Sequence, residues 1–192
     1  MSSAYLVLDL QNDLVHKDGP NGAGPLGEQV RGRNVLANTA AVIEKARAAE
    51  APVVFVRVGF SSDYRECSST SPMFNAIKTY GILKLDSWGT EIHPDLDRRE
   101  TDLLVTKHRV SPFYGTNLEV FLRAHGMTRL VMSGVSTAAV VQAGIREAHD
   151  RDYHCVVVED CCAAATAKEH EDSIAMLGRF CAITTSDAVS FG

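Results

Sequence analysis

Two residues of this 192-residue chain stand out for chemistry because each closes an apolar run: Asp9 ends Tyr5-Leu6-Val7-Leu8, and Lys107 follows Leu103–Thr106. A carboxyl set among apolar neighbours loses hydration in its charged form, which raises its pKa and suits it to proton transfer. The competing reading of Asp9 is a turn cap whose oxygens accept loop amides, and that of Lys107 is an ordinary solvated lysine. The cysteines Cys67, Cys155, Cys161, Cys162 and Cys181 are odd in number with no CxxC spacing, which reads as reduced thiols. Cys161 and Cys162 follow the end of an apolar run and are either near a site or small packing residues; Cys155 and Cys181 read as core, and Cys67 has no adjacent histidine. The seven histidines show neither HxxxH nor HxH spacing, so no metal site and no cofactor are expected. Phe60, Trp88, Phe113 and Tyr114 are candidates for an aromatic wall, and each is a residue type more often found in the core than in a pocket.

The elements that must position these groups follow from periodicity. Apolar, β-branched runs recur at Ala4–Leu10, Pro52–Val58, Leu103–Thr106, Leu130–Ser133, Tyr153–Glu159 and, more weakly, Cys181–Thr184. Several are apolar at consecutive positions, as in strands covered on both faces by helices. Between them, Val35, Thr39, Val42, Ile43 and Ala46 make one helical face over 34–49. Thr116 with Glu119 and Thr166 with Glu169 have capping-box spacing, Gly126 marks a stop, and Thr137 is a candidate cap for a helix over 138–150. A helix over 168–179 precedes the last strand. The reading is an α/β fold: three α/β/α layers around a six-stranded, mostly parallel, Rossmann-like sheet, in which ligands bind beyond the carboxyl ends of the strands.

Two segments interrupt the rhythm. Residues 11–33 are glycine-rich but lack both GxGxxG and a Walker lysine, so they read as a flexible flap rather than a phosphate cradle. In 59–101, Ser71-Pro72 is a helix start, and Met73, Phe74, Ile77 and Tyr80 form an apolar stripe suited to subunit contact or to inward packing. With no linker, repeat or low-complexity tract, 1–192 reads as one domain.

A net charge of −5 offers no basic stripe for nucleic acid or anionic membrane. The first apolar run, of about seven residues, is too short for a signal or a span, so a cytoplasmic protein is expected.

Leu8-Asp9-Leu10-Gln11-Asn12-Asp13, Gly89-Thr90-Glu91-Ile92-His93-Pro94, Lys107-His108-Arg109-Val110-Ser111-Pro112-Phe113-Tyr114-Gly115-Thr116, Ser133-Gly134-Val135-Ser136-Thr137 and Glu159-Asp160-Cys161-Cys162-Ala163 together resemble the isochorismatase-like (cysteine) hydrolase superfamily across nearly the whole chain. The resemblance implies an acid/base aspartate at Asp9, a lysine at Lys107 in the same pocket, a substrate contact at Gln11, and an unusual peptide at Val135–Ser136, a candidate for cis geometry, that turns backbone amides toward an oxyanion. It also implies a homo-oligomer. Most of the superfamily places its nucleophilic cysteine where this chain has Val140, and valine cannot attack a carbonyl. The zinc ligands of the nicotinamidase-like branch are missing from Gly59–Arg65. Isochorismatases proper also lack the cysteine, so the leading expectation is a hydrolase without covalent catalysis, with vinyl-ether hydrolysis and Asp9 as general acid the candidate reaction. The alternatives are a cysteine-type amide hydrolase using a displaced thiol and a catalytically silent small-molecule-binding protein of the same fold. Substrate binding is expected from Gln11, Val135, Ser136, Trp88 and Phe113.

Overall fold

The six apolar runs become six adjacent strands of one sheet. In the computed structural model, which describes Met1–Gly192, these are β1 (Ser3–Leu8), β2 (Val53–Val58), β3 (Leu103–Lys107), β4 (Arg129–Val135), β5 (His154–Ala163) and β6 (Ala182–Thr184). All neighbours pair in parallel, in the order β3-β2-β1-β4-β5-β6. Alternate residues of each strand feed two cores. Tyr5, Val7, Phe55 and Val131 face one side, and Leu6, Leu8, Val54, Val56 and Met132 face the other. The first core is covered by α3 (Val35–Ala48) through Val42, Ile43 and Ala46. The second is covered by α5 (Leu118–Ala124), α6 (Gln142–His149) and α7 (Ala167–Leu177) through Leu118, Leu122, Ile145 and Leu177. Both faces of the central strands are therefore dry, which explains their unbroken apolar sequence. No helix is long and apolar enough to cross a membrane.

Several local expectations change. Residues 11–33 fold into α1 (Asn12–Val15) and α2 (Pro25–Gly32) rather than a flap. Gly19, Gly22 and Gly27 serve close packing: a Cβ on Gly27 would fall 1.8 Å from the Gly22 carbonyl oxygen. The Thr116–Glu119 box does not form, because Thr116 Oγ1 donates to Pro112 O at 2.7 Å while Glu119 pairs with Arg151 at 2.8 Å. At α7 the cap is present, Thr166 Oγ1 accepting the Glu169 amide at 3.2 Å. Thr137 caps nothing; it opens a π-helical turn, Thr137–Val141, ahead of α6. β5 runs past Glu159 to Ala163 by means of an irregularity opposite Met132–Gly134. The stripe on α4 (Pro72–Tyr80) turns toward the carboxyl edge of the sheet, where Phe74 is buried and Met73 and Tyr80 stay exposed.

Candidate active site

The chain reverses direction across the sheet after β3, so β1 and β4 lie side by side while the strands that follow each of them run outward in opposite senses. Crevices open at such points, at the carboxyl ends of the strands. Here β1 and β4 touch backbone to backbone: Gly134, at φ +135°, sits where a Cβ would come within 2.0 Å of the Leu8 carbonyl oxygen. Asp9 leaves β1 in the left-handed region at φ 58°, which aspartate tolerates better than most residues, and its amide donates to Val56 O at 2.9 Å. Lys107, last residue of β3, reaches across the end of β2 to meet it.

Lys107 Nζ lies 2.9 Å from Asp9 Oδ2 and donates to Val110 O at 2.7 Å, and both side chains are 1–2% exposed. Asp9 Oδ1 is buried with no hydrogen-bond partner. Burial raises the Asp9 pKa and the Lys107 ammonium opposes it, the net direction being upward. The pair forms part of a cavity of about 330 Å³ in which 14 of the 19 lining residues are hydrophobic. Val135, Ser136 and Val140 line it, as do Leu14 and Leu26 of the first two helices and Phe74 and Ile77 of α4. Asp9, Lys107, Val140, Val135 and Ser136 therefore share one cavity.

The other expected contacts stand elsewhere. Gln11 is fully buried and its amide is saturated by the backbone of β2, Nε2 donating to Val58 O and Oε1 accepting from Val58 N, each at 2.8 Å. It fastens the end of β1 to the end of β2 and is absent from the cavity wall. Trp88 is 46% exposed, with its ring 5.0 Å from that of His16. Phe113 belongs to the second core, stacked on Tyr153 at 6.3 Å. Phe60 is core and Tyr114 is exposed.

The Val135–Ser136 peptide is cis. The amides of Ala139, Val140 and Val141 all donate to the Ser136 carbonyl, at 3.3, 3.0 and 3.2 Å, so these three are engaged within the turn rather than offered to an oxyanion. No cysteine lines the cavity. Cys161 and Cys162 are buried, and burial pushes both thiols up, Cys162 to about 12, against thiolate formation. No three His, Cys, Asp or Glu side chains converge in a way that would hold a metal ion.

A second polar cluster stands beside the turn that follows Ser136. Thr137 Oγ1 lies 2.9 Å from His170 Nδ1, His170 Nε2 is 3.3 Å from Glu159 Oε2, and that oxygen accepts from Arg33 Nη2 at 2.8 Å. Burial leads in lowering the His170 pKa, which favours neutral imidazole, one nitrogen accepting from the threonine and the other donating to the carboxylate. Sequence reasoning missed this cluster because its members are far apart in the chain. It also missed the apolar wall, although the stripe on α4 was the available signal.

Comparison with known proteins accords with this geometry. The model of the isochorismatase domain matches residues 3–188. The chain is 32% identical over 174 residues to the isochorismatase family protein YecD of Escherichia coli O157:H7, covering 90% of this chain and 86% of that one. It is 31% identical over 171 residues to ureidoacrylate amidohydrolase RutB of Rhizobium rhizogenes (strain K84 / ATCC BAA-868), covering 82% and 69%. The crystal structure of N-carbamoylsarcosine amidase from Thermoplasma acidophilum superposes with a TM-score of 0.79 at 27% identity, covering 98% and 99%. On this evidence the chain belongs to the isochorismatase family and is a hydrolase.

Proposed function

We propose that this hydrolase acts on a small molecule without a cysteine nucleophile, and that Asp9 Oδ1 is the atom that moves the proton. The observation that carries this reading is the buried, unpartnered carboxylate oxygen in a cavity wall, in a group whose pKa is raised. A buried oxygen without a partner costs stability and persists where a ligand supplies the missing bond.

For an enol ether, protonated Asp9 donates to the terminal vinyl carbon, the carbon–oxygen π system becomes an oxocarbenium ion, and water adds to it. The hemiketal then collapses to a ketone and an alcohol, and the proton released by the water returns to Asp9. Lys107 stabilises the aspartate charge that appears at the first step. Lys107 opposes an acidic role for Asp9, and burial, which raises the Asp9 pKa more than the ion pair lowers it, supports that role.

A second reading is direct amide hydrolysis, favoured by the names of RutB and N-carbamoylsarcosine amidase. In that case ionised Asp9 takes a proton from water as the oxygen attacks the carbonyl, and gives it to the nitrogen as the tetrahedral intermediate collapses to a carboxylic acid and an amine. The two readings differ in sign with pH: kcat/KM falls as pH rises through the Asp9 pKa for acid donation and rises for base catalysis.

The test is a panel of enol ethers and amides followed by thiol alkylation of the enzyme with iodoacetamide. Activity should survive alkylation and be lost in Asp9→Asn. Loss of turnover on labelling one cysteine, or an acyl adduct on Cys161 or Cys162 by mass spectrometry, restores the displaced-thiol mechanism. Saturable binding across the panel with no turnover makes the site a binding site only.

A further inference from the structure

Charge around the cavity is not balanced. Asp9 and Lys107 are paired at 2.9 Å, and of the remaining lining residues only Arg109 carries a charge. Its partners within the chain are neutral: Nη1 donates to the carbonyls of Glu66 at 2.9 Å and His108 at 2.6 Å, and the guanidinium carbon lies 5.5 Å from the centre of the Phe74 ring. The carboxylate of Glu66, whose carbonyl Arg109 holds, is itself taken by the amide of Ser61 at 3.0 Å and by the Ser61 hydroxyl. Nε and Nη2 are thus left as the uncommitted edge of the fork. That edge presents two parallel N–H groups, the arrangement that matches a carboxylate side-on. The Phe74 ring below the guanidinium is itself fixed by an edge contact with Phe60 at 5.8 Å, so the fork is supported on one face and tethered at one nitrogen.

The geometry points to a carboxylate subsite at Arg109: the substrate is a small molecule with a carboxylate on Nε and Nη2, an apolar body against Leu26, Phe74 and Ile77, and its reacting group at Asp9. This rests on the assignment of the cavity as the substrate site. At about 330 Å³ the space lies at the small end of the roughly 300–1,000 Å³ usual for ligand pockets, which excludes a polymer or a bulky conjugate. Leu26, Phe74 and Ile77 offer no donor, so the part of the substrate that lies against them is uncharged. The class is therefore a compact carboxylate with an apolar body.

The probes are 3-phenylpropionate and its neutral isostere 3-phenylpropanamide, titrated into the protein by isothermal calorimetry at low salt. The carboxylate should bind at least about tenfold more tightly. Arg109→Gln should erase that ratio, and Arg109→Lys, which keeps the charge without the fork, should leave an intermediate one. Equal binding of the two probes, absence of saturable carboxylate binding at millimolar concentration, or an unchanged ratio in Arg109→Lys overturns the subsite, and none of these depends on the glutamine variant folding. Asp9→Asn should retain the carboxylate preference. Retained turnover in Asp9→Asn would therefore count against the proton-transfer reading while leaving the Arg109 result to stand or fall separately.

Discussion

Two polar clusters stand along this sheet, one half-buried and one fully buried, and they differ in completeness. Around β5, Arg33, Glu159, His170 and Thr137 form a chain in which each side chain finds a partner. Between β1 and β3, Lys107 finds two acceptors while Asp9 keeps one oxygen with none. The first cluster holds the π-helical turn against α7 and the irregular part of β5; the second opens on a cavity. Satisfied buried polarity rigidifies a fold, whereas an orphan beside a cavity is where a ligand gains most.

The comparison is broken most severely at Asp9. Asp9→Asn, close in shape but without a titrating carboxyl, should lower kcat/KM by about 100-fold or more on whichever substrate is turned over, the range of general acid–base catalysis. An effect below tenfold would make Asp9 a structural residue like those around β5.

Next in size is Lys107→Met, which leaves a buried carboxylate without its counter-ion and should cost about 3 kcal/mol in urea denaturation at pH 8. The sign with pH follows from the raised Asp9 pKa. A carboxyl whose folded pKa exceeds its unfolded value of about 3.9 contributes fully below that value, and the contribution is lost as pH rises through the folded pKa. Removing Lys107 raises the folded pKa further, so the loss should be smaller at pH 5 than at pH 8. A pH-independent loss would mean that packing, not charge, dominates at this position.

Thr137→Val tests the other cluster. It deletes the hydroxyl against His170 Nδ1 and should cost about 1–3 kcal/mol, with kcat/KM reduced no more than about tenfold. A loss of activity equal to that of Asp9→Asn at unchanged stability would put the cluster inside the chemistry. Smallest of all, Trp88→Ala should leave KM within about twofold, because this half-exposed ring packs on His16 away from the cavity.

The sheet was legible because central parallel strands must be apolar on both faces, and this is written directly into Ala4–Leu10 and Leu130–Ser133. The short edge strand β6 was legible only weakly, since Ala182 and Ile183 are exposed and carry little pattern. Asp9 and Lys107 were legible as strand-end polar residues, and the resemblance to a known family singled them out. The place of Gln11 was not legible, because nothing local reveals that the backbone of Val58, 47 residues away, takes both ends of its amide. The glycines of 11–33 suggested mobility because composition does not distinguish a flexible glycine from one required by contact, as Gly27 is against Gly22. The stripe on α4 was visible, but whether it would meet a second subunit or this chain's own cavity depends on how 59–101 folds back over the sheet, and sequence periodicity carries no such information.

The most direct test of the central claim needs no substrate: a carbon-13 NMR titration of the Asp9 side-chain carboxyl, assigned by its disappearance in Asp9→Asn. The account predicts one titration with a midpoint above the ordinary aspartate value of about 3.9, moving higher still in Lys107→Met. A midpoint at or below 3.9 in the wild-type protein would show that the ion pair outweighs burial, and Asp9 could not then serve as the acid.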